Sequence, residues 1–360
     1  MTTRTPDDRV ARRSIEVLLE GQAKSGAIIA SPAFPVYRYS WLRDGAFCAH
    51  ALDVAGEYDA ARAFHDWAAR SVEAHRSVFE DAIAAATAGV ALPAEAMPPT
   101  RYTLEGAREP AGDEPWPNFQ IDGYGIWLWA LDMHTAGRDV TATRPSAVDL
   151  VARYLRAAWQ LKCFDCWEEY GNGEHASTLG AVAAGLEGAA RLLGEPGWRA
   201  EADRVRDALL ERFTVAGRFK RGSDDDRVDG SLLWLGVPFG VLEPEHPVMR
   251  ATVEAVRRDL TGPGGGLYRY LGDSYYGGGQ WLLLTSTLAW HDAVTGDGDA
   301  TSAQDWVRAQ VTPDGDLPEQ VTDHAQDPTM LEPWQRRWGS VATPLLWSHA
   351  MYLVAERATR

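Results

Sequence analysis

The chain has 360 residues, 45% of them hydrophobic, with 35 Lys and Arg against 51 Asp and Glu for a net charge of −16. That length suits one large domain or two ordinary ones with a sizeable core. The acidic balance argues against nucleic acid or an anionic membrane surface as a partner, since both reward clustered Lys and Arg.

Helical periodicity dominates the chain. It predicts helices near 6–21, 43–55, 57–89, 122–137, 144–161, 175–194, 196–213, 228–236, 247–260, 279–297, 301–310 and 342–358. Asp122, Pro145-Ser146 and Pro196 read as helix starts, and Gly56, Gly137, Gly194 and Gly217 as stops. Only Ala27–Ala30 and Tyr37–Ser40 read as short strands. Segments 91–121, 261–279 and 311–341 are long and rich in Pro, Gly, acids or aromatics, whereas the turns after Gly56, Gly137 and Gly194 are short. Long loops inside a compact domain are usually functional or disordered, and their Tyr, Trp and Asp favour function. The expected fold is all-α: about twelve helices paired into a toroid, with a site at the mouth where the long loops gather. No linker composition interrupts it, so 1–360 reads as a single domain.

Met1–Leu18 is polar and charged, which predicts no export signal. No apolar run reaches the ~20 residues of a membrane helix, and a cytoplasmic protein is expected. Cys48, Cys163 and Cys166 are then reduced: Cys163-x-x-Cys166 has no second pair to complete a zinc or redox motif, and the three read as free thiols. His50, His175 and His349 lack ligand spacing and read as core or surface residues. Gly264–Gly266 and Gly277–Gly279 read as loop glycines, not a phosphate cradle. No metal or organic cofactor is expected.

Fifteen tryptophans are many for this length, and Trp116, Trp167 and Trp281 stand among Gly, Tyr and acids instead of apolar runs. Flat rings beside hydrogen-bonding acids suit a sugar, which has C–H faces and a hydroxyl rim. Asp165-Cys166-Trp167-Glu168-Glu169 and Leu317-Pro318-Glu319-Gln320 set carboxylates among apolar and amide side chains, far apart in sequence. Inverting glycoside hydrolysis needs two carboxyl groups roughly 6.5–9.5 Å apart, one to protonate the departing oxygen and one to activate a water.

Five segments in order over residues 39–350 resemble glycoside hydrolase family 15, the glucoamylase family. They are Tyr39-Ser40-Trp41-Leu42-Arg43-Asp44-Gly45; Trp116 to Gly123; Asp165 to Glu169; Arg269-Tyr270 through Asp273, Tyr275-Tyr276 and Gly278 to Trp281; and Glu319-Gln320 with Leu345 to Ala350. The resemblance implies an (α/α)6 barrel. It also implies Glu168 as general acid, Glu319 as general base, and Glu169, Arg43, Asp44, Arg269 and Asp273 as sugar-binding residues. Trp116 would pack on the leaving-group side, and Tyr39 and Trp347 are pocket wall or core. An acid at neutral pH must hold its proton. Burial, Trp167 and the flanking carboxylates are expected to help Glu168 do so, with Asp165 facing it. Gln320 is expected to orient the base or its water.

The expected activity is an inverting exo-α-glucosidase acting on isomaltose or short isomalto- and malto-oligosaccharides. Trehalose cleavage fits the same motifs. A phosphorylase would need a basic pocket in place of Glu319, and Leu317–Gln320 offers none. A binding protein that has lost catalysis is disfavoured because both glutamates are present. An isoprenoid cyclase would need Asp-rich magnesium motifs near an apolar cavity, and Asp224–Asp226 lies in a polar loop.

Overall fold

The computed structural model describes residues 6–110, 116–136 and 144–359. Thirteen α-helices are present among them: α1 (Pro6–Glu20), α2 (Leu42–Ala55), α3 (Tyr58–Ala74), α4 (Arg76–Thr87), α5 (Asp122–Thr135), α6 (Pro145–Ala158), α7 (Ala176–Leu193), α8 (Gly197–Arg212), α9 (Pro247–Leu260), α10 (Leu282–Thr295), α11 (Ala300–Ala309), α12 (Leu331–Trp338) and α13 (Leu346–Ala358). A 3-10 segment, Gly230–Leu235, stands between α8 and α9.

Six elements close into an inner ring: α2 packs on α5, α5 on α7, α7 on Gly230–Leu235, that segment on α10, α10 on α13, and α13 back on α2. Their sequences explain the placement. Every residue from Leu42 to Asp53 of α2 and from Leu346 to Glu356 of α13 is buried, so these helices are apolar nearly all round and have neighbours on both sides. The intervening helices lie outside. In α9, Met249, Thr252, Val253, Val256 and Leu260 make a single buried stripe, the mark of a helix with one face to a core. Outer and inner elements alternate along the chain, with α4 and α12 as additions, and this is the (α/α)6 barrel.

Alternation also sorts the connections. Three inner helices hand over to their outer partners through short turns: Gly56, Gly194 and Gly296 cap α2, α7 and α10 in the left-handed conformation. Each return from an outer to an inner element is long, so the long segments gather at the end where the inner elements begin. Two-residue strands pin them: Ser40–Trp41 pairs with Arg101–Tyr102, and Gln280–Trp281 lies between Leu267–Tyr268 and Gln320–Val321.

The structure departs from the periodicity in several places. The stretch 57–89 is two helices, broken at His75. The stretch 228–236 is the 3-10 segment: Asp229 caps it by accepting from Ser231 N, and it stays too short for an α-helix. Residues 279–281 are extended and 342–345 are non-helical, which delays α10 and α13. α12 lies inside the predicted loop 311–341. Gly217 ends no helix; it turns the hairpin between Thr214–Val215 and Arg218–Phe219. Gly137 lies outside the described residues. The extended stretch near Tyr37 moves to Ser40–Trp41, and Ala27–Ala30 contributes one bridge, Ile28 to Gln22. Cys48, Cys163 and Cys166 are free and buried. Among the described residues no helix is long and apolar enough to cross a membrane.

The α5–α7 contact has no room to spare. A Cβ on Gly185 would stand 2.6 Å from the Cα of Gly125, and one on Gly125 would stand 2.3 Å from the carbonyl oxygen of Ala181. Gly185→Ala should therefore destabilise the fold by about 1–3 kcal/mol, as overpacking does, despite the better helix propensity of alanine. A urea midpoint equal to or above that of the parent would contradict this packing.

Candidate active site

A cavity of about 410 Å³ opens at the mouth of the ring. Ten of the residues singled out in the sequence line it: Arg43, Asp44, Trp116, Trp167, Glu168, Glu169, Arg269, Trp281, Glu319 and Trp347. They arrive on the starts of α2 and α13, on the loops before α5, α7 and α10, and, for Glu319, on the loop between α11 and α12. Tyr39, Asp165 and Asp273 do not line it.

Glu168 sits in the left-handed region, at φ 67, which a non-glycine residue adopts only under constraint. The constraint comes from Asp165. Its Oδ1 accepts from the backbone N–H of Trp167 (3.0 Å) and Glu169 (2.9 Å), and its Oδ2 accepts from Arg221 (2.7 Å). Asp165 therefore winds the acidic loop from behind, and the expectation that it faces Glu168 is corrected. Glu168 accepts from Trp41 Nε1 (2.6 Å) and Gln120 Nε2 (3.0 Å), both at Oε1, with the Arg43 guanidinium 3.7 Å away. With Oε1 committed as an acceptor, Oε2 is the oxygen able to carry a proton.

Glu319 is buried. Its Oε1 accepts from the Tyr37 hydroxyl (3.1 Å), which also meets the Tyr275 hydroxyl (2.9 Å), and its Oε2 has no hydrogen-bond partner within the protein. Burial pushes its carboxyl up to about 8, against hydrogen bonding from Tyr37 and the charge of Arg269. The two glutamates thus hang from different rings of one edge-to-face pair, Trp41 and Tyr37, whose centroids are 5.8 Å apart. Gln320 does not orient Glu319. Its Oε1 accepts from Gly279 N (2.8 Å), so it clamps the loop before α10.

Arg43 donates to Gln120 (2.7 Å) and Asp122 (3.0 Å), which fixes its plane. Its Nε stays unbonded, as does the buried Oδ2 of Asp44 3.5 Å away, and both residues line the cavity. Burial pushes the Asp44 carboxyl up to about 7, which the Arg43 charge opposes. Asp273 grips Arg269 with both oxygens, at 2.6 and 2.7 Å, and lies behind it; Arg269 in turn reaches Glu169 at 3.2 Å. Arg221 joins Asp165 to Asp229 (3.2 Å), and Asp229 accepts from Trp167 Nε1. Trp347 lies flat on Phe47 and Trp234, so it is both cavity wall and roof of the core. Tyr39 lies under the Arg101 guanidinium, 4.3 Å from its ring centroid.

Tyr37, Trp41, Arg101, Tyr275, Trp334, Arg337 and Trp338 also line the cavity but are not in the expected set. Trp41 and Tyr275 stand inside the quoted motifs, and Trp334 and Trp338 are spaced four apart, a signal of one helical face. Nothing local marks Tyr37. Around the rim Trp116 and Trp338 lie stacked, 6.1 Å between centroids, with Arg101 over Trp116. Carboxyl groups with uncommitted oxygens, fixed guanidinium groups and flat aromatic walls make a site for a polyhydroxylated ring.

The sequence profile of glycosyl hydrolases family 15 matches residues 8–327. An isomaltose glucohydrolase from Kribbella flavida is 41% identical over 355 residues, 96% of this chain and 91% of that protein. A wild-type glycosidase of known structure superposes with a TM-score of 0.92 at 39% identity, over 98% of this chain and 97% of that one. A bacterial glucoamylase complexed with acarbose shares the fold, with a TM-score of 0.74 at 20% identity over 97% of this chain and 55% of that one.

The raised Glu319 carboxyl has a consequence for stability. Unfolded, it titrates at about 4.3, so from there to its folded value near 8 the folded chain binds the extra proton. Its contribution to stability is full below the lower value and is lost as pH rises through the upper. Glu319→Gln removes that loss. The variant should gain in melting temperature relative to the parent as pH rises from about 5 to about 9. A difference that stays flat or reverses over that range would refute the burial of this carboxyl.

Proposed function

The chain belongs to glycosyl hydrolases family 15, and on that premise we propose that it is an inverting exo-α-glucosidase, working as one catalytic domain. It takes one glucose from the non-reducing end of isomaltose and short isomalto- or malto-oligosaccharides and releases β-glucose. One observation carries the reading: Glu168 and Glu319 line a single cavity, hang from opposite partners of the Trp41–Tyr37 pair, and are not bonded to each other. A pair separated in this way leaves room for a sugar and a water between the carboxyl groups. The preference for isomaltose follows the Kribbella flavida relative, which matches nearly the whole chain.

In this mechanism Glu168 gives the proton on Oε2 to the glycosidic oxygen as the bond to the anomeric carbon breaks. A water attacks that carbon from the opposite face and passes its proton to Glu319 Oε2. Tyr37 holds Glu319 Oε1, so Oε2 is left to take the proton. Asp44 Oδ2 and Arg43 Nε meet hydroxyls of the terminal glucose, as do Glu169 and Arg269, which Asp273 keeps in place. Trp167, Trp281 and Trp347 wall that glucose, and Trp116, Trp338 and Arg101 meet the leaving sugar.

Isomaltose turnover should fall about 10²–10⁴-fold in either Glu168→Gln or Glu319→Gln, the range for loss of a general acid or base. Only Glu168→Gln should keep hydrolysis of α-glucosyl fluoride, whose leaving group needs little protonation. If both variants hydrolyse disaccharides at the parent rate, the assignment fails. In that same Glu168→Gln background the acid no longer titrates, and kcat/KM for the fluoride should rise with pH up to about 8 as Asp44 and then Glu319 ionise. A plateau reached already near pH 5 would contradict the raised carboxyl. Proton NMR on isomaltose, maltose and trehalose offered together checks stereochemistry and linkage. The expected first product is β-glucose from isomaltose. Early α-glucose would overturn inversion, and prior consumption of trehalose would overturn the linkage.

A further inference from the structure

Far down the barrel from the cavity, Asp53 of α2, His65 of α3 and His134 of α5 converge. All three are buried, and one ligand-type atom from each lies within 4.8 Å of the other two. The rings of His65 and His134 stand 5.0 Å apart, and His134 Nδ1 lies 2.9 Å from the Asp53 carboxylate. Asp53 is nine residues beyond Asp44 on one straight helix, which puts it about 13 Å from the mouth. None of the three lines the catalytic cavity.

His65 is the anomaly. It is 4% exposed, yet neither Nδ1 nor Nε2 has a hydrogen-bond partner in the protein. A neutral imidazole carries one donor and one acceptor, and burying both unpaired is costly. Hydrocarbon packing alone would favour leucine or phenylalanine at this position. An imidazole with a free lone pair, a second imidazole and a carboxylate are instead the donor set of a borderline-soft divalent cation.

We propose that Asp53, His65 and His134 form a structural zinc site that ties the outer helix α3 to the inner helices α2 and α5. Zinc bonds of about 2.0–2.2 Å hold tetrahedral ligands about 3.3 Å apart. His134 Nδ1 and the Asp53 carboxylate, now 2.9 Å apart, give up their shared proton and both turn to the ion as it binds, and a water completes the four ligands. The site takes no part in the glycosidase reaction, and its test does not depend on that reading.

The test uses whole protein stripped of metal with a chelator and titrated with zinc chloride, then separately with cobalt chloride. The expected results are saturable uptake of about one equivalent per chain, a raised melting temperature, and the intense visible absorption of four-coordinate cobalt. His65→Leu should abolish all three while leaving isomaltose turnover within about twofold, since no contact to the cavity is lost. Absence of saturable uptake by the parent would overturn the proposal, as would parent-like uptake by His65→Leu. If that variant does not fold, the cobalt spectrum of the parent decides alone. A four-coordinate spectrum without sulfur bands supports the site. A six-coordinate spectrum, or a thiolate charge-transfer band placing the ion on Cys163 and Cys166, overturns it.

Discussion

Closing six elements into a ring constrains the rest of this molecule. An inner helix with neighbours on both sides has almost no surface left for solvated polar groups, and α2 and α13 are buried along nearly their whole length. Polar chemistry is pushed to the ends of the ring. One end is closed by short glycine-capped turns; at the other, long returns meet. The cavity lies where the fold allows irregular backbone with buried polar side chains.

Holding those returns still requires more than packing, because loops carry backbone groups that need partners. The two-residue strand pairs meet part of that need. Buried ion pairs supply rigidity. Arg221 gathers Asp165 and Asp229, and Arg269 gathers Asp273 and Glu169. Arg43 is fixed by Gln120 and Asp122. Each of these arginines ties its own segment to another, and Gln120, Asp122, Arg221 and Asp273, none of which lines the cavity, help fix residues that do. The strained backbone of Glu168 is maintained in the same way, by an aspartate that never touches the cavity.

The two glutamates share a wall but differ in environment. Glu168 receives two N–H donors and stands near a guanidinium, whereas Glu319 has a phenol on one oxygen and nothing on the other. Two chemically identical side chains thereby meet different surroundings on the two members of the Trp41–Tyr37 pair.

The amino-acid sequence by itself determined the helical class, the alternation of short and long connections, and which acids and tryptophans are candidates for chemistry. Those properties are local: periodicity, glycine caps and motif spacing act over a few residues. It did not determine which side of each motif faces the cavity. Asp165 and Glu168 are three apart on one tight turn, and only the position of Arg221, more than fifty residues on, turns the first away from the cavity. Asp273 reads as a sugar ligand until Arg269 is seen to occupy both of its oxygens. Tyr37 carries no local mark, yet it holds Glu319 across 282 positions. The meeting of Asp53, His65 and His134 has no spacing to betray it, because three helices deliver one ligand each. In every case the deciding partner is brought by ring closure, a property of the whole chain and not of any segment.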